Sequence, residues 1–214
     1  MDSAKLLSLT LFGGGLVSLL VWLLMVMDGG RAPGLLRKSV VFFLLPGSLM
    51  VVIPLLIPPF AVGPATFFGI LAAAVLIEEF LKVSAARSEA RPADKFALIC
   101  LFGIFELMLA KPLGPLIAGG LFGEWSRLGI VGFAAGGLLA MLMHTTTAAL
   151  YAFRFTARPW LGLLSCFALH LIYNLLILFF LSVTVAVVLA VVLAIILLLA
   201  CPDPPSTIAS QPAG

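Results

Sequence analysis

Seven apolar stretches alternate with short polar or glycine- and proline-rich breaks along this chain. They cover residues 6–27, 39–58, 63–83, 96–112, 128–152, 160–180 and 183–201. A membrane-crossing helix takes about 20 mostly apolar residues. The pattern therefore predicts an all-α, polytopic transmembrane helix bundle of about seven spans. The last two stretches come from one apolar run too long for a single crossing, and we divide it at Leu181-Ser182-Val183-Thr184. The first run is longer than the roughly 7–15 residues of a signal-peptide core, and no small-x-small site precedes Asp28, so it reads as an uncleaved span. Residues 1–201 read as one helical domain and 202–214 as a disordered cytoplasmic tail without apolar pattern. The Gly- and Pro-rich segment 112–124 reads as an external loop or a re-entrant piece packed against protein.

Composition agrees with that class. The chain has 214 residues, 63% of them hydrophobic and 10% charged, with a mean hydropathy of +1.28. Soluble domains carry about 25% charged residues. The formal charge of +3 reports orientation first, and no nucleic-acid partner is expected. Arg31, Arg37 and Lys38 fall in the first loop, Arg87, Arg91 and Lys95 in the third, Arg154 and Arg158 in the fifth. The positive-inside rule places these loops and the C-terminus in the cytoplasm and the N-terminus outside. The expected location is an integral, multi-pass position in a bacterial cell membrane.

Against this apolar background a few polar side chains stand out. Glu78 and Glu79 are adjacent within the third stretch, Glu106 lies in the fourth, His144 in the fifth and His170 in the sixth, with Asn174 one turn further on. Both histidines of the chain belong to this set. Ionisable groups are costly in hydrocarbon, so they mark functional sites and face inward. Residues four apart share a helix face, about 6 Å apart. That aligns Glu78 with Lys82, Phe102 with Glu106, and His170 with Asn174. Counted from the expected cytoplasmic ends, the four faces lie at depths of roughly 9 to 15 Å. Glu78, Glu106, His144 and His170 are expected within about 10 Å of a common centre, close enough to share a water or an ion.

Such a set suits hydrolysis. Carboxylate and imidazole supply a general base and acid, and His170 with Asn174 offers donors to an oxyanion. Lys82 would hold or orient Glu78. Glu79 points about 100° away from Glu78 and is the one suited to snorkelling towards the interface. A second mechanism uses Glu78, Glu106, His144 and His170 as ligands of a divalent metal such as zinc, although no HExxH motif is present. These residues leave both mechanisms open.

The order of motifs is EExxK at 78–82, FxxxE at 102–106, a lone His144 and HxxxN at 170–174. It resembles the PrsW-like intramembrane proteases, relatives of the CAAX prenyl endopeptidases and bacteriocin-processing proteins. The likeness covers about residues 70–176 within a motif-bearing core of about 63–180. It implies a helix bundle with a cavity open to the membrane, cleavage of a membrane protein or membrane-tethered peptide, and a glutamate that activates water. The candidate catalytic residues are then Glu78, Glu79, Glu106, His144, His170 and Asn174, supported by Lys82 and Phe102. In the prenyl-endopeptidase branch the second motif ends in histidine, so Glu106 favours the PrsW-like branch. The alternatives are a catalytically silent scaffold or immunity-type binding protein and, less favoured, a proton-coupled transporter.

Other positions read as structural. Cys100, Cys166 and Cys201 form no CxxC pattern and read as small buried hydrophobes. Gly132 and Gly136, with Gly129 and Gly137, and Gly13-Gly14-Gly15 read as helix-packing surfaces. Trp22, Trp125, Trp160 and Tyr151 read as interfacial anchors, and Glu124 with Arg127 as an external pair.

Overall fold

The computed structural model describes residues 3–27, 31–44, 63–110, 127–180 and 182–201. All regular structure among them is helical. We number the helices α1 (Ser3–Met27), α2 (Ala32–Ser39), α3 (Pro64–Arg87), α4 (Pro92–Phe105), α5 (Arg127–Ala149), α6 (Pro159–Phe180) and α7 (Val183–Ala200). Three continue as single π-helical turns: Val40–Leu44 after α2, Glu106–Ala110 after α4 and Leu150–Arg154 after α5. Such turns recur at functional sites, and two of these three carry residues of the site below.

Local chemistry sets the helix starts. Pro33, Pro64 and Pro92 sit in the first turns of α2, α3 and α4, where proline's fixed φ and missing N–H cost nothing. The long apolar run divides where Ser182 caps α7, its hydroxyl accepting from the Val185 N–H at 3.2 Å. A proposed break in that run thus coincides with an N-cap.

The apolar α4 is buried along most of its length, as expected of a helix that is hydrophobic all round. Leu98, Ile99, Leu101 and Ile104 form a core with Trp22, Phe43, Val83 and Tyr151. A second cluster gathers Met143, Tyr173, Leu189 and Leu193 between α5, α6 and α7. Close approaches use glycine. A Cβ on Gly137 would lie 2.7 Å from Leu11 Cδ2, and one on Gly15 would lie 3.1 Å from the Met108 backbone nitrogen. The Gly129, Gly132 and Gly136 side of the small-residue surface lies outside the residues whose side chains are described.

One end of the bundle gathers the odd-numbered loops. Arg31 pairs with Asp94 at 2.7 Å, and Arg91 with the same carboxylate at 2.8 Å. Lys38 pairs with Glu89. The Phe96 and Phe153 rings meet tilted, with centroids 5.8 Å apart, and Arg154 donates to the Leu199 carbonyl at the end of α7. Arg31, Lys38, Arg91 and Arg154 thus share an end with the C-terminus of α7.

Two described helices are long and apolar enough to cross a membrane, at Pro159–Ile177 and Val183–Ala200; a shorter apolar stretch spans Leu11–Leu24. This is fewer than the seven spans the apolar pattern predicts. Part of the difference is physical: α3 carries Glu78, Glu79 and Lys82 within little more than a turn, and α4 has 14 residues before its π-turn. The remaining part of the 39–58 stretch beyond Leu44, the 112–124 segment, Trp125, Glu124 and the 202–214 tail lie outside the described residues.

Two aromatic readings change. Trp22 is buried and its indole donates to the Ala97 carbonyl at 2.7 Å, tying α1 to α4 instead of anchoring at an interface. Tyr151 is also buried. Trp160 is exposed, and Cys100 and Cys166 are buried free thiols.

A glutamate and histidine candidate active site

The site forms where α3, α4, α5 and α6 meet. Glu79 is its anchor. Its side chain and that of Lys82 are fully buried, at 0% exposure. Lys82 Nζ donates to Glu79 Oε1 at 2.5 Å, stands 3.4 Å from the Thr147 hydroxyl, and lies 5.1 Å from the centre of the Phe102 ring. The expected Glu78–Lys82 pairing and the snorkelling of Glu79 are thereby corrected. A lysine meets a glutamate at i−3 as readily as at i−4, and the inward face of α3 is the one bearing Glu79. Burial of both charges in apolar surroundings demands such a partner.

Glu79 also fixes His170, whose Nδ1 donates to Oε1 at 2.8 Å. Its other oxygen accepts from the Tyr151 hydroxyl at 2.9 Å. Glu78, by contrast, keeps 21% of its side chain exposed and puts Oε2 3.8 Å from His170 Nε2. The two neighbouring glutamates therefore differ in kind: one is a buried support and the other opens towards the site.

On the facing helices Glu106, first residue of the π-turn after α4, bonds His144 Nε2. His144 is buried, and its Nδ1 has no hydrogen-bond partner among the described residues. The Phe102 ring packs against His144 with centroids 5.0 Å apart, and the His144 and His170 rings meet edge-on at 5.3 Å. Gly103 makes room for this, since a Cβ there would lie 2.8 Å from His144 Cβ. Asn174 is half-buried one turn after His170 and enters none of these contacts.

One ligand atom each from Glu78, His144 and His170 lies within 4.8 Å of the others. A neutral imidazole that donates through one nitrogen presents a lone pair at the second. With Glu79 on His170 Nδ1 and Glu106 on His144 Nε2, the remaining nitrogens both present lone pairs. In that tautomer His170 Nε2 is an acceptor or a ligand, and donation to an oxyanion through it requires the protonated ring. Two imidazoles backed by carboxylates, beside a third carboxylate, form a donor set that fits a divalent metal of the zinc type. The convergence of one ligand atom from each of Glu78, His144 and His170 is the observation that carries the fit. Glu106, a candidate ligand by sequence, bonds His144 Nε2.

Sequence reasoning missed Tyr151 and Thr147 as members of this network. Their spacing from His144, at i+7 and i+3, puts all three on one face of α5 and the π-turn that continues it, and that was the available signal.

Comparisons of the chain with protein-family models, with curated proteins and with solved structures found no match.

Proposed function

We propose that this chain is a multi-pass membrane endopeptidase of PrsW-like type, cleaving a peptide bond in a membrane protein or membrane-tethered peptide. The carrying observation is the convergence of Glu78, His144 and His170 within 4.8 Å, with Glu79 and Glu106 behind the two imidazoles. The membrane setting is supported by the outward apolar side chains of α1, α3, α6 and α7, among them Leu24, Phe80, Leu164 and Leu198. The shared end of the basic loops supports a cytoplasmic placement of that end.

In this reading Glu78 accepts the proton of a water as its oxygen bonds the substrate carbonyl carbon. Glu78 returns that proton to the nitrogen as the C–N bond breaks. His170 and His144, held by Glu79 and Glu106, line the reacting space. Asn174 supplies an amide donor for the carbonyl oxygen. A divalent metal, when bound, would be held by Glu78, His144 and His170 and would supply a polarised water and a Lewis acid.

The test is cleavage of a membrane-peptide library by the purified chain, with Glu78→Gln as control. Cleavage that depends on Glu78 supports the reading. A chain that binds a partner equally well with either residue, and cleaves nothing, would support the scaffold alternative.

A further inference from the structure

Tyr151 lies outside every motif that suggested the activity, yet it is buried and aimed at the site. It stands on the π-helical turn Leu150–Arg154, at the end of α5. Three donors reach the Glu79 carboxylate: Lys82 and His170 both meet Oε1, and Tyr151 meets Oε2 at 2.9 Å. The lysine sits on the same helix as Glu79, the histidine on α6 and the tyrosine beyond α5. A carboxylate bound through one oxygen alone can turn about its terminal torsion, which is broad and roughly two-fold. A donor on the second oxygen, from a different helix, fixes the plane.

We propose that Tyr151 is a positioning residue that acts through Glu79 on His170. By holding Oε2 it keeps Oε1 on His170 Nδ1. The carboxylate held in that plane accepts from His170 Nδ1, which favours the tautomer with its proton there and leaves Nε2 open towards Glu78. The inference deepens the peptidase reading and rests on it for its consequence in catalysis, but the link from Tyr151 to His170 is testable without any substrate.

The experiment compares the full chain with Tyr151→Phe in lipid nanodiscs. The ¹⁵N resonances of the His170 ring are recorded, assigned by loss in His170→Gln. Wild type is expected to show one tautomer, protonated at Nδ1. Tyr151→Phe is expected to show a mixture of the two, and cleavage to fall roughly 10- to 100-fold through kcat with little change in KM. Site-specific 3-fluorotyrosine at position 151 provides a second measurement with the hydroxyl retained. Its more acidic hydroxyl is expected to move the same His170 signals. His170 resonances unmoved by both changes would overturn the proposal. Absence of cleavage in every variant, with the tautomer shift present, would sink the peptidase reading and leave the Tyr151–Glu79–His170 link standing.

Discussion

His170 Nδ1 donates to Glu79 Oε1 at 2.8 Å, while Nε2 of the same ring stands 3.8 Å from Glu78 Oε2. One imidazole thus lies between two consecutive glutamates of α3, bonded to Glu79 and beside Glu78. Glu79 is buried beneath the ring and Glu78 opens beside it. Most expectations about variants follow from that division.

Glu79→Gln is expected to destabilise the fold. Glutamine removes the negative charge from a fully buried pair and leaves Lys82 charged without its partner. Breaking such a pair by changing one member costs about 3–5 kcal/mol. Thermal unfolding in detergent should show a clear fall in midpoint for Glu79→Gln and little change for Glu78→Gln. Equal midpoints in the two variants would contradict the division of labour.

Gly103→Ala probes the packing behind His144. The new methyl would lie 2.8 Å from His144 Cβ and 3.3 Å from its Cδ2, so the ring has to shift. A small-to-large change in a packed core costs about 1–3 kcal/mol. Displacement of His144 from Glu106 should also lower cleavage more than it lowers stability. Activity at wild-type level would show that the position of His144 does not matter.

Metal uptake separates the two mechanisms. Metal-free protein dialysed against zinc is expected to take up one ion per chain. His144→Ala and His170→Ala should each weaken uptake, and Glu106→Gln should weaken it by roughly 10- to 100-fold through loss of the carboxylate behind His144. Uptake that is identical in wild type and all three variants would place zinc elsewhere. Full cleavage by metal-free protein would assign water activation to Glu78 alone.

Trp22→Phe tests the changed reading of an apparent anchor. The indole donates to Ala97 O at 2.7 Å between buried groups. Its loss should cost about 1–3 kcal/mol, visible as a lowered unfolding midpoint. An interfacial tryptophan would tolerate the change with no measurable shift.

The helical class was legible because seven apolar runs left room for little else. The candidate site was legible because Glu106, His144 and His170 are expensive in their apolar surroundings and therefore informative. The partner of Lys82 was not legible: positions i−3 and i−4 lie on overlapping parts of a helix face, and only the packing of α3 against α4 and α6 decides between Glu79 and Glu78. Tyr151 fits an anchor by its place near a span end, and Trp22 by residue type although it lies inside its span. What distinguishes them is a partner on another helix, Ala97 for one and Glu79 for the other, which spacing along a single helix cannot reveal. The π-turn that begins at Glu106 has no sequence signature comparable to a proline or a cap.

In the proposed reading Glu78 activates water for peptide hydrolysis. That role is tested most directly by reconstituting the purified chain in lipid vesicles with a library of membrane-spanning peptides and comparing wild type with Glu78→Gln. Wild type is expected to cleave, and the variant to lose roughly 10²- to 10⁴-fold in rate, with unfolding midpoint and insertion unchanged. Equal cleavage by both proteins would contradict that reading, and so would a correctly inserted wild type that cleaves none of the peptides.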